Sequence, residues 1–269
     1  MKKVLFLAFS SLMLVSCTKE IQVDLNTSDP KLVVEATLHN QTDTASVLLS
    51  RTVNFSEPNR FPSVTDASVV IKDSEGNSWN LVQTSPGVYQ HFQLRGVIGR
   101  TYSLEITLND GQVFTAQSTL PEPVTLDKVE FIERTFGAPG SDNDSINYFV
   151  LPRFLDPAGI QNNYRFVQTL NGVKDHTIQV RNDNIFSGRV NEQPLINPDL
   201  DIHSGDEVLL EMQCIDVGVY NYFFSLSQSI GGGGPNAAAV PANPVSNISG
   251  GALGFFAAYS VQKLTVLAP

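Results

Sequence analysis

The chain has 269 residues, of which 42% are apolar and only 16% charged. Asp and Glu outnumber Lys and Arg by 27 to 17, a formal net charge of −10. That balance excludes a general nucleic-acid binder, which needs a basic face for phosphates, and the Phe, Tyr and aliphatic content excludes a disordered chain.

The first element is a leader. Lys2 and Lys3 precede an apolar run, Val4 to Val15, of 12 residues. This is the length of a signal-peptide core and falls short of the ~20 residues a membrane-spanning helix needs. The run ends in Leu14-Val15-Ser16-Cys17, which resembles the bacterial lipobox. Small side chains suit the peptidase, and the Cys17 thiol carries the diacylglyceryl group. Residues 1–16 are therefore read as a lipoprotein signal peptide and Cys17 as the lipidation site, with several acyl chains giving a stable anchor. Thr18-Lys19-Glu20 faintly resembles a surface-export signal. No Asp follows Cys17, so outer-membrane placement, facing the cell surface, is expected. With Cys17 acylated, Cys214 is the one thiol left, and it is read as a buried small hydrophobe.

Residues 17–30 read as a polar tether. Seven short β-type runs follow: Lys31–Leu38, Thr44–Arg51, Ala67–Lys72, Ser78–Gln83, Gly87–Leu94, Thr101–Leu108 and Gln112–Thr119. Turn signals such as Glu75-Gly76-Asn77 and Asn109-Asp110-Gly111 separate them. In Thr101–Leu108 the alternation points Tyr102, Leu104, Ile106 and Leu108 inward. This pattern predicts an immunoglobulin-like β-sandwich over 31–120. Pro121-Glu122-Pro123 marks a boundary. A second, mostly-β domain is expected over 124–269, with strands Leu126–Glu133, Ile146–Phe154, Tyr164–Leu170, His176–Arg181, Glu207–Ile215 and Leu253–Leu267. It contains one helix: Val219, Tyr222, Phe223, Leu226 and Ile230 form a helical stripe, with Asp216 as cap and Gly231 as stop. Gly231 to Pro244 is a Gly/Pro/Ala-rich loop. The fold class is thus all-β, with one short helix.

Catalytic chemistry finds little support in the residues. His39, His91, His176 and His203 show no metal-ligand spacing, and no nucleophile elbow or phosphate loop occurs. Asp199 to Glu207 starts like a calcium loop, then places His203 fifth and Gly205 one position late. No catalytic, metal or cofactor-binding residue is expected. A carboxylate-pair hydrolase stays open, since such pairs come from distant residues. Asp43-Thr44-Ala45 and Asp144-Ser145-Ile146 resemble the O-glycosylation motif of exported Bacteroidetes proteins. Phe55, Phe61, Trp79, Tyr89, Phe92 and Phe136 include aromatics in loop contexts that suit a binding face if exposed.

Several motifs taken together resemble one family. They are the lipobox, Lys31–Ala36, Val64–Val69 with Asp73–Asn77, Gly87-Val88-Tyr89, Gly99–Leu104, Asp110-Gly111 and Asn243–Phe256. The chain is similar to the DUF4249 family of Bacteroidetes outer-membrane lipoproteins over essentially its whole mature length. The resemblance implies a lipid-anchored binding or accessory protein that partners a TonB-dependent outer-membrane transporter, and it carries over no catalytic residue. The alternatives are a glycan- or peptide-acting hydrolase and a structural or adhesive surface module.

Overall fold

The computed structural model describes residues 29–54, 57–58, 60–134, 147–197, 199–231 and 243–269. Seven strands build the N-terminal unit: β1 (Leu32–His39), β2 (Ala45–Arg51), β3 (Ala67–Asp73), β4 (Ser78–Ser85), β5 (Val88–His91), β6 (Thr101–Leu108) and β7 (Val113–Thr119). Their hydrogen-bonded order is β1-β2-β5-β4-β3-β6-β7. The register slips between Gln83 and Ser85 where β4 meets β5. Such a bulge bends a sheet, and β4 itself joins the layer β1-β2-β5 to the layer β3-β6-β7, its residues 78–81 pairing with β3 and its residues 82–85 with β5. The result is an immunoglobulin-like β-sandwich.

Alternation explains what each strand buries. Along β6, Tyr102, Leu104, Ile106 and Leu108 are all buried, and the residues between them are half-buried. They meet Val34, Ala36, Leu38, Val47, Leu49, Val69 and Ile71 in one core. Each such aliphatic side chain contributes about 1.5–3 kcal/mol on burial. The Tyr102 hydroxyl accepts the Val97 N–H at 2.8 Å. A tyrosine opening a strand and reaching back a few residues is the corner device of immunoglobulin-like folds.

The second unit holds β8 (Lys128–Arg134), β9 (Asn147–Arg153), β10 (Asn163–Leu170), β11 (Val173–Lys174), β12 (Gln179–Asn182), β13 (Glu207–Ile215), the helix α1 (Val217–Gly231) and β14 (Leu253–Leu267). β8 and β9 pair in a separate two-stranded sheet, while β11-β10-β13-β14 continues the main sheet and β12 pairs with β10. Strand β12 starts later than the expected His176, because residues 175–178 leave the ladder to line a cleft.

The chain passes from the first core to the second between Leu120 and Val124. The second unit is nevertheless not the contiguous segment 124–269. Strand β14 serves both units. Leu253–Tyr259 pair with β1 in parallel, and Ser260–Leu267 pair with β13 antiparallel. Ile248, Ala252, Phe256 and Ala258 accordingly belong to the first core. Local patterning specifies which face of β14 is apolar, and it carries no record of which strands lie on either side.

Just before β14, the chain bridges to β7. Ile248 forms an isolated bridge with Ala116, and Ser249 donates its N–H to the Thr115 carbonyl. The Asn247 side chain takes the Phe256 N–H at 2.9 Å and donates to the Phe256 carbonyl at 2.8 Å, acting as one rung of strand. Helix α1 starts where expected. Asp216 Oδ1 accepts the Val219 N–H at 2.9 Å, a regular N-cap. Val219 and Phe223 are buried against Ile215 and Ala257, whereas Ile230, at the end of the stripe, is 71% exposed.

A cleft at the end of the second unit

Cys17 lies outside the described residues, together with the whole leader and most of the tether. The same holds for Phe55, Phe136, Asp144-Ser145-Ile146 and residues 232–242 of the Gly/Pro/Ala-rich loop. Among the described residues, no helix is long and apolar enough to cross a membrane.

The other singled-out residues are dispersed. Cys214 is 3% exposed in the second core, and its sulfur accepts the Val124 N–H at 3.3 Å. Burial pushes its thiol up from the ordinary value. His39 stacks on Tyr259 with ring centroids 5.2 Å apart, and desolvation lowers its pKa. The acids of 199–207 diverge. Asp201 accepts from Asn147, and Asp206 accepts from Asn171 and the His203 N–H. Among the described residues, no group of three or more His, Cys, Asp or Glu is placed to hold a metal. Asp43 pairs with Arg95 at 2.5 Å. Tyr89 is buried, its hydroxyl donating to the Val64 carbonyl, and Trp79 packs on the first core. Among the described members of the group, Phe61 and Phe92 are exposed, at 58% and 59%.

One concave surface collects residues from four segments. It is a cleft of about 840 Å³. Its first wall is the hairpin β10–β11. The hairpin is closed by Asn171 and Gly172 alone, with φ of 49° and 81°. Both values are left-handed, as a two-residue turn with the twist of the flanking strands requires. Asn171 is tied down on both sides: its Nδ2 donates to Asp206 at 2.8 Å, and its Oδ1 accepts the Glu207 N–H at 2.9 Å.

Lys174, Asp175, His176, Thr177 and Ile178 form the second segment, Asp199 and Leu200 the third, and Ser227 and Ile230 of α1 the fourth. Asp175 is fixed rather than free. Thr177 donates to its Oδ1 at 3.2 Å, and Asn197 donates to its Oδ2 at 2.8 Å. Leu170, Val173, Ile178, Leu200 and Ile230 supply apolar surface, and Lys174, Asp175, His176 and Asp199 supply charge and hydrogen bonding. Such a lining suits an amphipathic ligand: apolar area gives affinity and a few polar groups fix orientation.

Of the residues considered from sequence, His176, Asp199 and Ile230 meet in this cleft. The hairpin was not among the expected elements. Its signal is present as Asn171-Gly172 following an apolar strand, a strong short-range hairpin mark. Ser227 and Leu200 carry no sequence mark that separates them from ordinary helix and turn residues.

Comparisons with known proteins give the following. A family model described as "Domain of unknown function (DUF4249)" matches residues 18–265. No curated protein matches the chain. Among solved structures, a two-domain fibronectin type-III segment of chicken tenascin is similar at 12% identity and a TM-score of 0.23, covering 70% of this chain and 92% of that one. The α-L-rhamnosidase of Dictyoglumus thermophilum is similar at 13% identity and a TM-score of 0.28, covering 71% and 28%.

Proposed function

This chain belongs to the DUF4249 family, matched over residues 18–265, and from that premise we propose that it is a lipid-anchored binding module of the outer membrane, working beside a TonB-dependent transporter. Cys17 is the anchor in this reading, and residues 18–30 are the tether between membrane and sandwich. The apolar-floored cleft of about 840 Å³ between the β10–β11 hairpin and the end of α1 carries the binding part of the proposal. The sandwich acts as a rigid mount, and the second unit presents the cleft. The reading is further supported by the leader and by the family resemblance of residues 31–36, 64–77 and 243–256.

The test is affinity purification of the lipidated protein from native outer membranes, compared with Cys17→Ala. A TonB-dependent transporter is expected to co-purify with the wild-type protein, and Cys17→Ala is expected to leave the membrane fraction. Unchanged uptake in a deletion strain, with no transporter recovered, overturns the proposal. Within the cleft, Ile230→Asp places a charge on the apolar wall. It is expected to weaken capture of an amphipathic ligand about tenfold or more, the loss of roughly 1.4 kcal/mol, with little change in the melting temperature.

A further inference from the structure

At the end of β10 away from the cleft, two loops form a tip. They are residues 155–162, after β9, and residues 183–190, after β12. Leu155 bridges Val190. Asp156 donates its N–H to the Arg189 carbonyl at 3.0 Å, and Asp183 donates its N–H to the Asn162 carbonyl at 3.1 Å. Ala158 lies against Gly188, where an added Cβ would come within 3.0 Å of the Ala158 Cβ.

The tip is turned inside out. Its acids are Asp156 and Asp183, and both are buried, at 0% and 5% exposure. The Tyr164 hydroxyl donates to Asp156. Leu155, Ile160, Ile185 and Val190 are instead between 48% and 66% exposed. The second loop also bonds its backbone within itself. The Asp183 carbonyl takes the Phe186 and Ser187 N–H groups, and the Phe186 carbonyl takes the Arg189 N–H at 2.8 Å. Phe186 holds the loop down, its ring 5.9 Å from Phe154 and 6.2 Å from Tyr164.

Single exposed aliphatic residues are ordinary on a protein surface, but four on adjoining loops, with both acids withdrawn, mark a contact. The remaining charge indicates with what. Arg189 is the exposed charged residue of the two loops, in a chain of net charge −10. The next acid along the chain, Glu192, pairs with Arg153 at 3.8 Å. Protein interfaces are anchored by Trp, Tyr and Arg seated in pockets, and this tip offers projecting Leu, Ile and Val. Aliphatic side chains beside a cation match the boundary between acyl chains and anionic headgroups. Backbone groups bonded internally are what such a boundary demands of a loop.

We propose that this tip is a lipid-contact site, with Leu155, Ile160, Ile185 and Val190 seated in the acyl–headgroup boundary of an anionic membrane and Arg189 at the level of the phosphates. The contact is made by side chains and needs no acyl group on Cys17. Strand β10 runs from Asn163 at the tip to Leu170 at the cleft, about 23 Å at the rise of a strand. A seated tip therefore holds the cleft clear of the lipid.

The experiment uses the mature chain with Cys17→Ala, which carries no lipid, and sediments it with vesicles of phosphatidylethanolamine and phosphatidylglycerol or of phosphatidylcholine alone. The chain is expected to sediment with the anionic vesicles and several-fold less with phosphatidylcholine. Ile160→Asp with Ile185→Asp is expected to weaken the anionic-vesicle binding about tenfold or more and to leave the melting temperature unchanged, since both side chains are exposed. Arg189→Glu is expected to weaken binding to the anionic vesicles and serves if the double variant does not fold. Val82→Asp, at an exposed aliphatic residue of the sandwich, is expected to bind like the parent. Failure of the parent chain to sediment with either vesicle overturns the proposal, as does undiminished binding by the double variant or an equal loss in Val82→Asp. Self-association of the parent that the double variant abolishes, without vesicle binding, overturns it in favour of a second copy. Neither the anchor nor the transporter takes part in this assay, so its failure leaves the proposed function standing.

Discussion

Asp73 shows how one side chain turns a motif into structure. It ends β3 with its carboxylate fully buried. Oδ1 accepts the Glu75 and Asn77 N–H groups at 3.0 and 2.9 Å, and Oδ2 accepts from Arg100 at 2.7 Å. The motifs Asp73–Asn77 and Gly99–Leu104, separate in sequence, are therefore the two halves of one contact. Burial alone raises the Asp73 pKa, but the hydrogen bonds from Asn77, Glu75 and Arg100 outweigh it and hold the carboxyl below its ordinary range. A depressed folded-state pKa contributes stability above the unfolded value, near pH 3.9, that is lost as pH falls through the folded value. Asp73→Ala leaves Arg100 and two N–H groups without their acceptor and is expected to cost about 3 kcal/mol at pH 7. Urea titrations of the wild type and the variant should converge as pH falls below 3.9. A gap that stays constant with pH would show that the carboxylate charge contributes nothing.

At the scale of elements, Asp216 does more than begin a helix. Oδ1 caps α1 through Val219, while Oδ2 takes the Ser118 hydroxyl at 2.5 Å and the Thr119 N–H at 3.0 Å. Ser118 in turn accepts the Ala258 N–H at 2.8 Å, so β7, β14 and α1 share one chain of hydrogen bonds. A lost cap costs about 1–2 kcal/mol, and an unsatisfied buried hydroxyl adds about 1–3 kcal/mol. Asp216→Ala is therefore expected to cost about 2–4 kcal/mol by chemical denaturation. Asp216→Ser restores the cap alone and is expected to recover about half of that. Equal losses in the two variants would mean that the reach to β7 carries all the energy. Helix α1 itself was legible in sequence, because its stripe, cap and stop agree. So was β6, by strict alternation. Strand β11 was missed because two residues are too few to show a period, and its Asn171-Gly172 turn was the mark to read. The cleft was illegible as a unit, since its four walls meet only through tertiary pairing.

Across the whole molecule, the decisive element is β14, because both cores lean on it. Gly254 lies beside Val34 in the parallel ladder with β1. Its φ is +98°, and a Cβ there would lie 1.9 Å from the Val34 carbonyl oxygen. Only glycine tolerates both the angle and the approach. Gly254→Ala is expected to destabilise by at least about 3 kcal/mol, combining backbone strain and overpacking. The loss should reach both units. Trp79, the single tryptophan, reports on the first core by its fluorescence, and reagent access to the Cys214 thiol, buried in the second core, reports on the second in a Cys17→Ala background. Thermal curves from the two probes are expected to coincide in the wild type and to shift together in Gly254→Ala. A shift confined to Trp79 would show that the units unfold independently. The sharing of β14 also bears on biogenesis. Val33 finds its neighbour Leu253 only 220 residues later, so until β14 has been synthesised that edge of β1 is bare. A bare strand edge is a template for wrong pairing, and long-range strand closure is slow. Any truncation before residue 253 leaves two unfinished halves, a failure set by chain order rather than by the loss of a particular contact.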